Sequence, residues 1–224
     1  MAKIHGIAGE WARVKGMVAG LWPLFLGVFA SGFALALFLV SPLVAATVLV
    51  AALVWVIYSL VRGLRHVERF FKGARGEEKV AGILASLPDA YHVFNDFAAG
   101  RAHVDHVVVG PGGVFSIETK MWRGTVTVED GRILLNGQLP DRDPLAQTAR
   151  EATLVRTTLA AKGWKGVVTP VLVFASDSFA AHRADVRGVI VINSNELKAG
   201  FASDRVVIPQ TELDRLVGLM EIHA

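Results

Sequence analysis

The stretch that decides the fold reads His103-Val-Asp-His-Val-Val-Val-Gly110, then Pro111-Gly-Gly113, then Val114-Phe-Ser-Ile-Glu-Thr-Lys120. Both arms are rich in valine, isoleucine and phenylalanine, and turn residues separate them, which is the signature of a β-hairpin. Pro111 suits the first central position of a type II turn, and Gly112 the second, where φ is positive. With Gly110 opposite Gly113, Asp105 stands opposite Glu118. Directly opposed side chains have Cβ atoms about 4.5–5.5 Å apart, and like charges there repel. A divalent cation is the simplest offset, because carboxylate oxygens are hard ligands that suit Mg²⁺ or Mn²⁺. Lys120 lies two residues past Glu118 and shares its face. That face then offers two carboxylates and an ammonium able to hold a water or a phosphate oxygen. Two bland readings stand beside this one. Asp105 and Lys120 can form a surface ion pair, and a one-residue register slip sends the acids to opposite faces.

The 224 residues are 53% hydrophobic, and the excess is local. No charged residue occurs between Lys15 and Arg62. Leu21–Val40 and Leu43–Val61 are apolar runs close to the ~20 residues a membrane-spanning helix needs. Ser41 and Pro42 read as N-cap and first position of a second helix. Two antiparallel spans fit better than one helix of roughly 60 Å, twice the hydrocarbon thickness. Lys3, Arg13 and Lys15 flank the first span, and Arg62, Arg65, Arg69 and Lys72 follow the second. Positive charge at both outer ends predicts a multi-pass cell-membrane protein with both termini and the soluble domain in the cytoplasm. The absence of cysteine excludes disulfides, zinc–thiolate sites and cysteine nucleophiles. The pI near 9.4 invites a nucleic-acid reading. However, residues 62–224 hold 20 of the 23 basic and 19 of the 20 acidic residues, a net +1. Any nucleic-acid affinity must then come from a local patch.

The expected organisation is an N-terminal segment 1–20, a transmembrane hairpin 21–61, a basic connector 62–75 and an α/β domain 76–224. Within that domain Glu77–Leu87 reads as a helix with Val80, Ile83, Leu84 and Leu87 on one stripe. Glu77 leans toward that stripe, and Glu78 points away. Tyr91–Phe97 is a strand, Thr125–Val128 and Ile133–Leu135 a hairpin, and Asp143-Pro144 the start of a helix to about Lys162. Val171–Ala175 and Val189–Ile192 read as buried strands, Asn195–Ala199 as a short helix, and Val206–Ile208 as one more strand. Thr211 and Asp214 resemble a capping box opening a helix through Met220.

Arg75-Gly-Glu-Glu-Lys-Val, Phe94-Asn-Asp, Val104-Asp-His-Val-Val-Val, Ile117-Glu-Thr-Lys120, Gly124 and Gln147, in this order, resemble the nuclease-related domain (NERD) family. That family looks like a branch of the restriction-endonuclease-like PD-(D/E)xK superfamily, with Val104-Asp105 in place of the proline-aspartate pair. The resemblance implies a restriction-endonuclease-like α/β core: helix, three-stranded antiparallel meander, helix, strand, here preceded by two transmembrane helices. It implies Asp105, Glu118 and the Thr119 carbonyl as ligands of Mg²⁺ or Mn²⁺. It implies Lys120 orienting or activating the attacking water, Glu77 near the metal or water, and Gln147 near Lys120 or the scissile phosphate. His103, across from Lys120, is a candidate to tune it or to contact substrate. Trp122 and Arg123 can stack on a base and hold a phosphate, or simply pack and face solvent. His106 points to the opposite face and reads as structural.

The function expected is a membrane-anchored, metal-dependent nuclease acting on DNA or RNA. The alternative is a non-catalytic membrane-tethered nucleic-acid-binding or signalling module that keeps the fold. Gly27, Ala30, Ser31, Gly32 and Ala34 in the first span can bring helices close, giving either a homo-oligomer or tight packing of the two spans of one chain.

Overall fold

In the computed structural model the hairpin of residues 103–120 forms and lies at the centre of a mixed sheet. The structure describes residues 1–100, 102–181, 183–201 and 207–221, and leaves undescribed the side chains of 19 and 62–70, hence those of Arg62, Arg65 and Arg69. In chain order the elements are β1 (Lys3–His5), α1 (Glu10–Phe38), α2 (Pro42–Ala85), β2 (His92–Ala99), β3 (Ala102–Gly110), β4 (Gly113–Lys120), β5 (Val126–Glu129) and β6 (Arg132–Leu135). Then come α3 (Pro144–Ala161), β7 (Val168–Phe174), β8 (Arg183–Val186), β9 (Val189–Asn193), a 3-10 turn at Ser194–Glu196, α4 (Leu197–Gly200) and α5 (Gln210–Glu221). Among the described residues the main sheet runs β1-β2-β3-β4-β7-β9-β8, with β5-β6 a separate ribbon. Strands β2, β3 and β4 are the antiparallel meander, and β7 returns after α3 to lie parallel to β4. The core order of helix, meander, helix and strand is as expected.

The β3–β4 register is the one read from the sequence, from Gly110↔Gly113 to His106↔Ile117. The turn differs. Positive φ falls at Gly113 (134°) and not at Gly112, so the turn is not type II. Type I and type II turns differ by a flip of the central peptide. Here the Pro111 carbonyl accepts from Val207 N–H (2.7 Å) and Ile208 N–H (3.1 Å), which decides that orientation. Those bonds also replace the expected strand at 206–208, of which Val206 lies outside the described residues.

Two compact units divide the chain, residues 11–72 and residues 1–10 with 73–224. The segment 1–20 is therefore not one piece. Residues Lys3–His5 pair parallel with His92–Phe94 and add an edge strand to the sheet. No periodicity in so short a stretch announced it. The connector 62–75 is also not a separate element, because α2 runs unbroken from Pro42 to Ala85 and includes the helix expected from Glu77. The stretch contains glycines but no proline after Pro42, and a helical glycine costs only about 1 kcal/mol. Strand β8 was not expected either; it turns back through Arg187 and Gly188, both with positive φ. Helix α5 opens one residue before Thr211, so no capping box forms. Glu212 N–H and Leu213 N–H turn instead to the Pro209 carbonyl.

The sheet is covered on both faces. Phe94, Val107 and Val114 pack with Val155 and Leu159 of α3 and Leu216 of α5. On the other face Val93, Val108 and Ile117 pack with Val80 and Leu84 of α2 and Leu197 of α4. The β5–β6 ribbon closes over Phe174, Phe179 and Val189.

In the other unit, Glu10–Phe38 and Pro42–Val61 are each long and apolar enough to cross a membrane. Only 11% and 6% of their most apolar windows are buried, which sets them apart from core helices of a soluble protein. Phe25, Phe29, Leu35 and Leu53 are all exposed. Gly27 meets Val56 so closely that a Cβ would come within 2.6 Å of Cγ2, and Ala34 and Ala45 are buried. Gly27 and Ala34 thus pack the two helices of one chain. Gly32 faces open space.

Candidate active site

The sheet opens where the acids lie. The β2–β3 register pairs Asn95 with His106 and Phe97 with Val104, stepping over Asp96 and Asp105. Asp96 has a left-handed backbone (φ 51°), a conformation aspartate tolerates better than most residues. The β3–β4 register ends at His106↔Ile117, one pair short of Asp105 and Glu118. Asp105 therefore does not sit in a regular ladder pair with Glu118 as expected. Its Oδ2 accepts the Thr119 backbone N–H at 2.7 Å, filling the gap the ladder leaves.

Glu118 is the hub. Its Oε1 takes the Lys120 ammonium and, at 2.8 Å, the Gln147 Nε2 amide. Gln147 turns its own Oε1 to Lys120 Nζ at 3.1 Å, and its Nε2 also reaches Glu151 Oε1 at 2.9 Å. Helix α3 can deliver these two side chains together because residues four apart share a helix face. The start of α3 is held by Asp143, whose carboxylate caps the N–H groups of Leu145 (2.9 Å) and Ala146 (3.3 Å). Glu77 arrives from α2 on the other side. Gly76 lets that helix come close, since a Cβ there would lie 2.9 Å from the Met121 Cβ.

The cluster holds more negative charge than it balances. Burial, then the charges of Glu118 and Asp96, push Glu77 up to about 7. Burial and the contact with Glu118 push Glu151 up to about 8. Burial, then Glu118 and Glu77, push Asp105 well above the usual carboxylate range, against the pull of the Thr119 N–H. Burial alone would lower Lys120, but Glu118 and Asp105 more than reverse it, so the amine stays protonated. Glu151 Oε2 and Thr119 Oγ1 are buried without a hydrogen-bond partner. Four acids against one ammonium, with buried oxygen atoms left over, is a donor set that fits a hard divalent cation. Among the described residues no three such groups already stand in metal-holding geometry.

The remaining candidates separate. His103 Nδ1 lies 3.0 Å from Asp96 Oδ1, so its described partner is on β2 and is not Lys120. Trp122 is half-buried, its ring 5.5 Å from that of Phe174. It also lines a cleft of about 670 Å³ together with Lys120, Gln147, Asn136, Leu139 and Arg142. Arg123 is exposed beside it. His106 is fully buried on the opposite face, bonded to Asn95 at 2.8 Å, and burial lowers it to about 3. The expectation of a structural role agrees with that position. Two contributors were given no role by the sequence reading. Glu151 was within reach of it, at the i+4 position from Gln147. Asp96 stood in the Phe94-Asn-Asp motif, but nothing marked its left-handed backbone beside Asp105.

The fold and the carboxylate cluster define a mixed α/β protein with a nuclease-like core. Residues 72–175 match the family described as the nuclease-related domain, NERD. The match spans every candidate site residue from Glu77 to Glu151. No curated protein and no solved structure matches the chain.

Proposed function

We propose that the protein is a membrane-anchored, divalent-metal-dependent nuclease that hydrolyses phosphodiester bonds of DNA or RNA. The observation that carries the reading is the joining of Lys120 and Gln147 on Glu118 Oε1, beside an Asp105 pinned by the Thr119 N–H. Asp105, Glu118 and the Thr119 carbonyl would hold Mg²⁺ or Mn²⁺. Such a cation supplies Lewis acidity toward a phosphoryl oxygen and a water acidic enough to attack near neutral pH. Lys120, kept protonated by its acidic neighbours, donates hydrogen bonds to the attacking water or a phosphate oxygen and stabilises charge there. It is an orienting group, not a proton acceptor. Gln147 fixes the Lys120 ammonium from α3. Water oxygen bonds to phosphorus as one of its protons passes to solvent, the ester P–O bond breaks, and the departing oxygen takes a proton from solvent. Trp122 and the exposed Arg123, beside the cleft at Lys120, are the candidates for base stacking and phosphate contact. His103 stands behind Asp96.

The bilayer is the anchor in this reading. The exposed apolar faces of Glu10–Phe38 and Pro42–Val61 suit hydrocarbon better than water. Residues before the first of these helices and after the second share one sheet. Both flanks then lie on one side of the membrane, which the basic residues at the outer ends make the cytoplasmic side.

Purified full-length chain in detergent should cleave single- or double-stranded nucleic acid with Mg²⁺ or Mn²⁺ and stop on chelation. Asp105→Ala and Lys120→Ala should abolish cleavage while the circular dichroism stays native. A second reading, a binding module without turnover, is favoured by the lack, among the described residues, of a ready-made three-ligand set. A gel shift that survives chelator, with no cleavage, would select it.

A further inference from the structure

We infer that the β6–α3 connection, residues 136–142, is the selective wall of the site, and that the cleft it shares with Lys120 takes one unpaired nucleic-acid strand, with Leu139 and Trp122 flanking a base and Arg142 holding a phosphate. This rests on the nucleic-acid reading above and narrows its substrate. Lys120 and Gln147, the two side chains joined on Glu118, line the same cleft of about 670 Å³ as Trp122, Leu139 and Arg142. The wall is fixed at its first end. Asn136 N–H donates to the Thr125 carbonyl at 2.8 Å, and Asn136 Oδ1 accepts the Thr125 N–H at 2.9 Å. A Cβ on Gly124 would lie 2.3 Å from that oxygen, so glycine is what lets the amide approach. Asn136 and Gly137 both have positive φ, 53° and 75°, as the central pair of a type I′ turn requires. The other end is fixed by Asp143, which caps α3 and pairs with Arg187 at 2.8 Å. Between these fixtures Leu139 keeps 61% of its surface exposed. A lone exposed leucine is ordinary, but this one shares a cleft with an indole, an ammonium and a guanidinium. Trp122 is backed by Phe174, and its carbonyl accepts from Ser176 Oγ at 2.7 Å, so the indole is set in place before any ligand arrives.

Stacking chemistry selects the strand. In a duplex each base face is covered by its neighbours, whereas an unpaired base is open to an aromatic ring. The cleft has the size of a small-molecule pocket, room for a short stretch of one strand and not for a paired helix. The soluble part of the chain is close to neutral, so binding needs a local patch. The cleft sets Lys120 and Arg142 against Asp141. An adjoining cleft of about 260 Å³ shares Leu139 and Pro140 and adds Arg132 and Arg187 against Asp143. A strand leaving the first cleft over Leu139 and Pro140 meets these arginines.

The test measures fluorescence anisotropy on the full chain in detergent, with labelled oligothymidylate, oligouridylate and a DNA duplex of the same length, in chelator and in Ca²⁺. One or both single strands should bind about tenfold tighter than the duplex, and which of them binds tells DNA from RNA. Leu139→Ala should weaken that binding about tenfold with its salt dependence unchanged. Arg142→Ala should weaken it and lower the salt slope by about 0.7, the share of one phosphate contact on a single strand. Arg156→Ala, an exposed arginine farther along α3, should bind as wild type. A duplex bound as tightly as the strands, wild-type binding in either cleft variant, or no binding of any probe overturns the inference. Should a cleft variant fail to fold, the strand preference of the wild type decides alone. Cleavage with Mg²⁺ or Mn²⁺ alongside any of those failures leaves the nuclease reading standing. Strand binding as expected, with no cleavage, sinks the nuclease reading and keeps this one.

Discussion

The Thr119 backbone N–H donates to Asp105 Oδ2 at 2.7 Å, one residue beyond the last β3–β4 ladder pair. A side chain has taken the place of a strand partner. The exchange costs the sheet a regular rung but holds Asp105 beside Glu118. Glu77 joins the same cluster from α2, and Gln147 and Glu151 join it from α3. The site is thus made by local loss of sheet pairing, in a place where the acids would otherwise repel.

Lys120→Met should test the charge balance. It leaves Glu118 buried without its ammonium, and removal of one partner from such a pair costs about 3 kcal/mol. The variant should melt at lower temperature than wild type near neutral pH, and Mn²⁺ should restore part of the loss. Equal melting temperatures at all pH values would show that Lys120 does not hold the cluster together.

The pH dependence of stability has a definite sign. Glu77 and Glu151 are raised from 4.5 to about 7 and about 8 in the folded chain. The folded state therefore keeps protons that the unfolded chain has already released. Their stabilising effect is complete below about 4.5 and fades as pH rises through 7 to 8. In chelator the melting temperature should fall across that window. Saturating Mn²⁺ should flatten the curve, and a flat curve in chelator would contradict the charge arrangement.

Glu151→Gln removes one charge and keeps an oxygen for Gln147 Nε2, now 2.9 Å from Glu151 Oε1. Metal-free protein should gain on the order of 1 kcal/mol at pH above 8, the equivalent of about one pKa unit. Below pH ~4.5, where both forms are uncharged, the difference should vanish. Denaturant melts at the two extremes measure this directly.

Asp143→Ala should loosen the first turn of α3, from which Gln147 reaches Lys120. Its loss removes two capped N–H groups and the 2.8 Å pair with Arg187. Loss of a cap costs about 1 kcal/mol. Asp143→Ser should recover most of that stability without the Arg187 pair. If Ser and Ala are equally destabilised, the Arg187 contact matters more than the cap.

Much of this architecture was legible in the chain. Alternating apolar residues around Pro111-Gly-Gly113 set the hairpin and its register, and so put Glu118 and Lys120 on one face. Asp143-Pro144 marked the start of α3, and Gln147 was placed near Lys120 by family resemblance. The misses have physical causes. The type II turn failed because a distant segment, Val207-Ile208, holds the Pro111 carbonyl. The expected break at 62–75 failed because a few glycines do not stop a helix that nothing else interrupts. Glu151 went unremarked because its meaning depends on what α3 packs against.

Local composition by itself determined the central hairpin, the Asp143 cap, the two apolar helices and the acids Glu77, Asp105 and Glu118, since each follows from the spacing of neighbouring residues. Only the tertiary structure decided that Asp105 leaves its ladder and that Glu77 and Glu151 converge on Glu118 from opposite sides. Those are contacts between segments far apart in the chain, and no periodicity along a sequence encodes which distant backbone group will fill a gap.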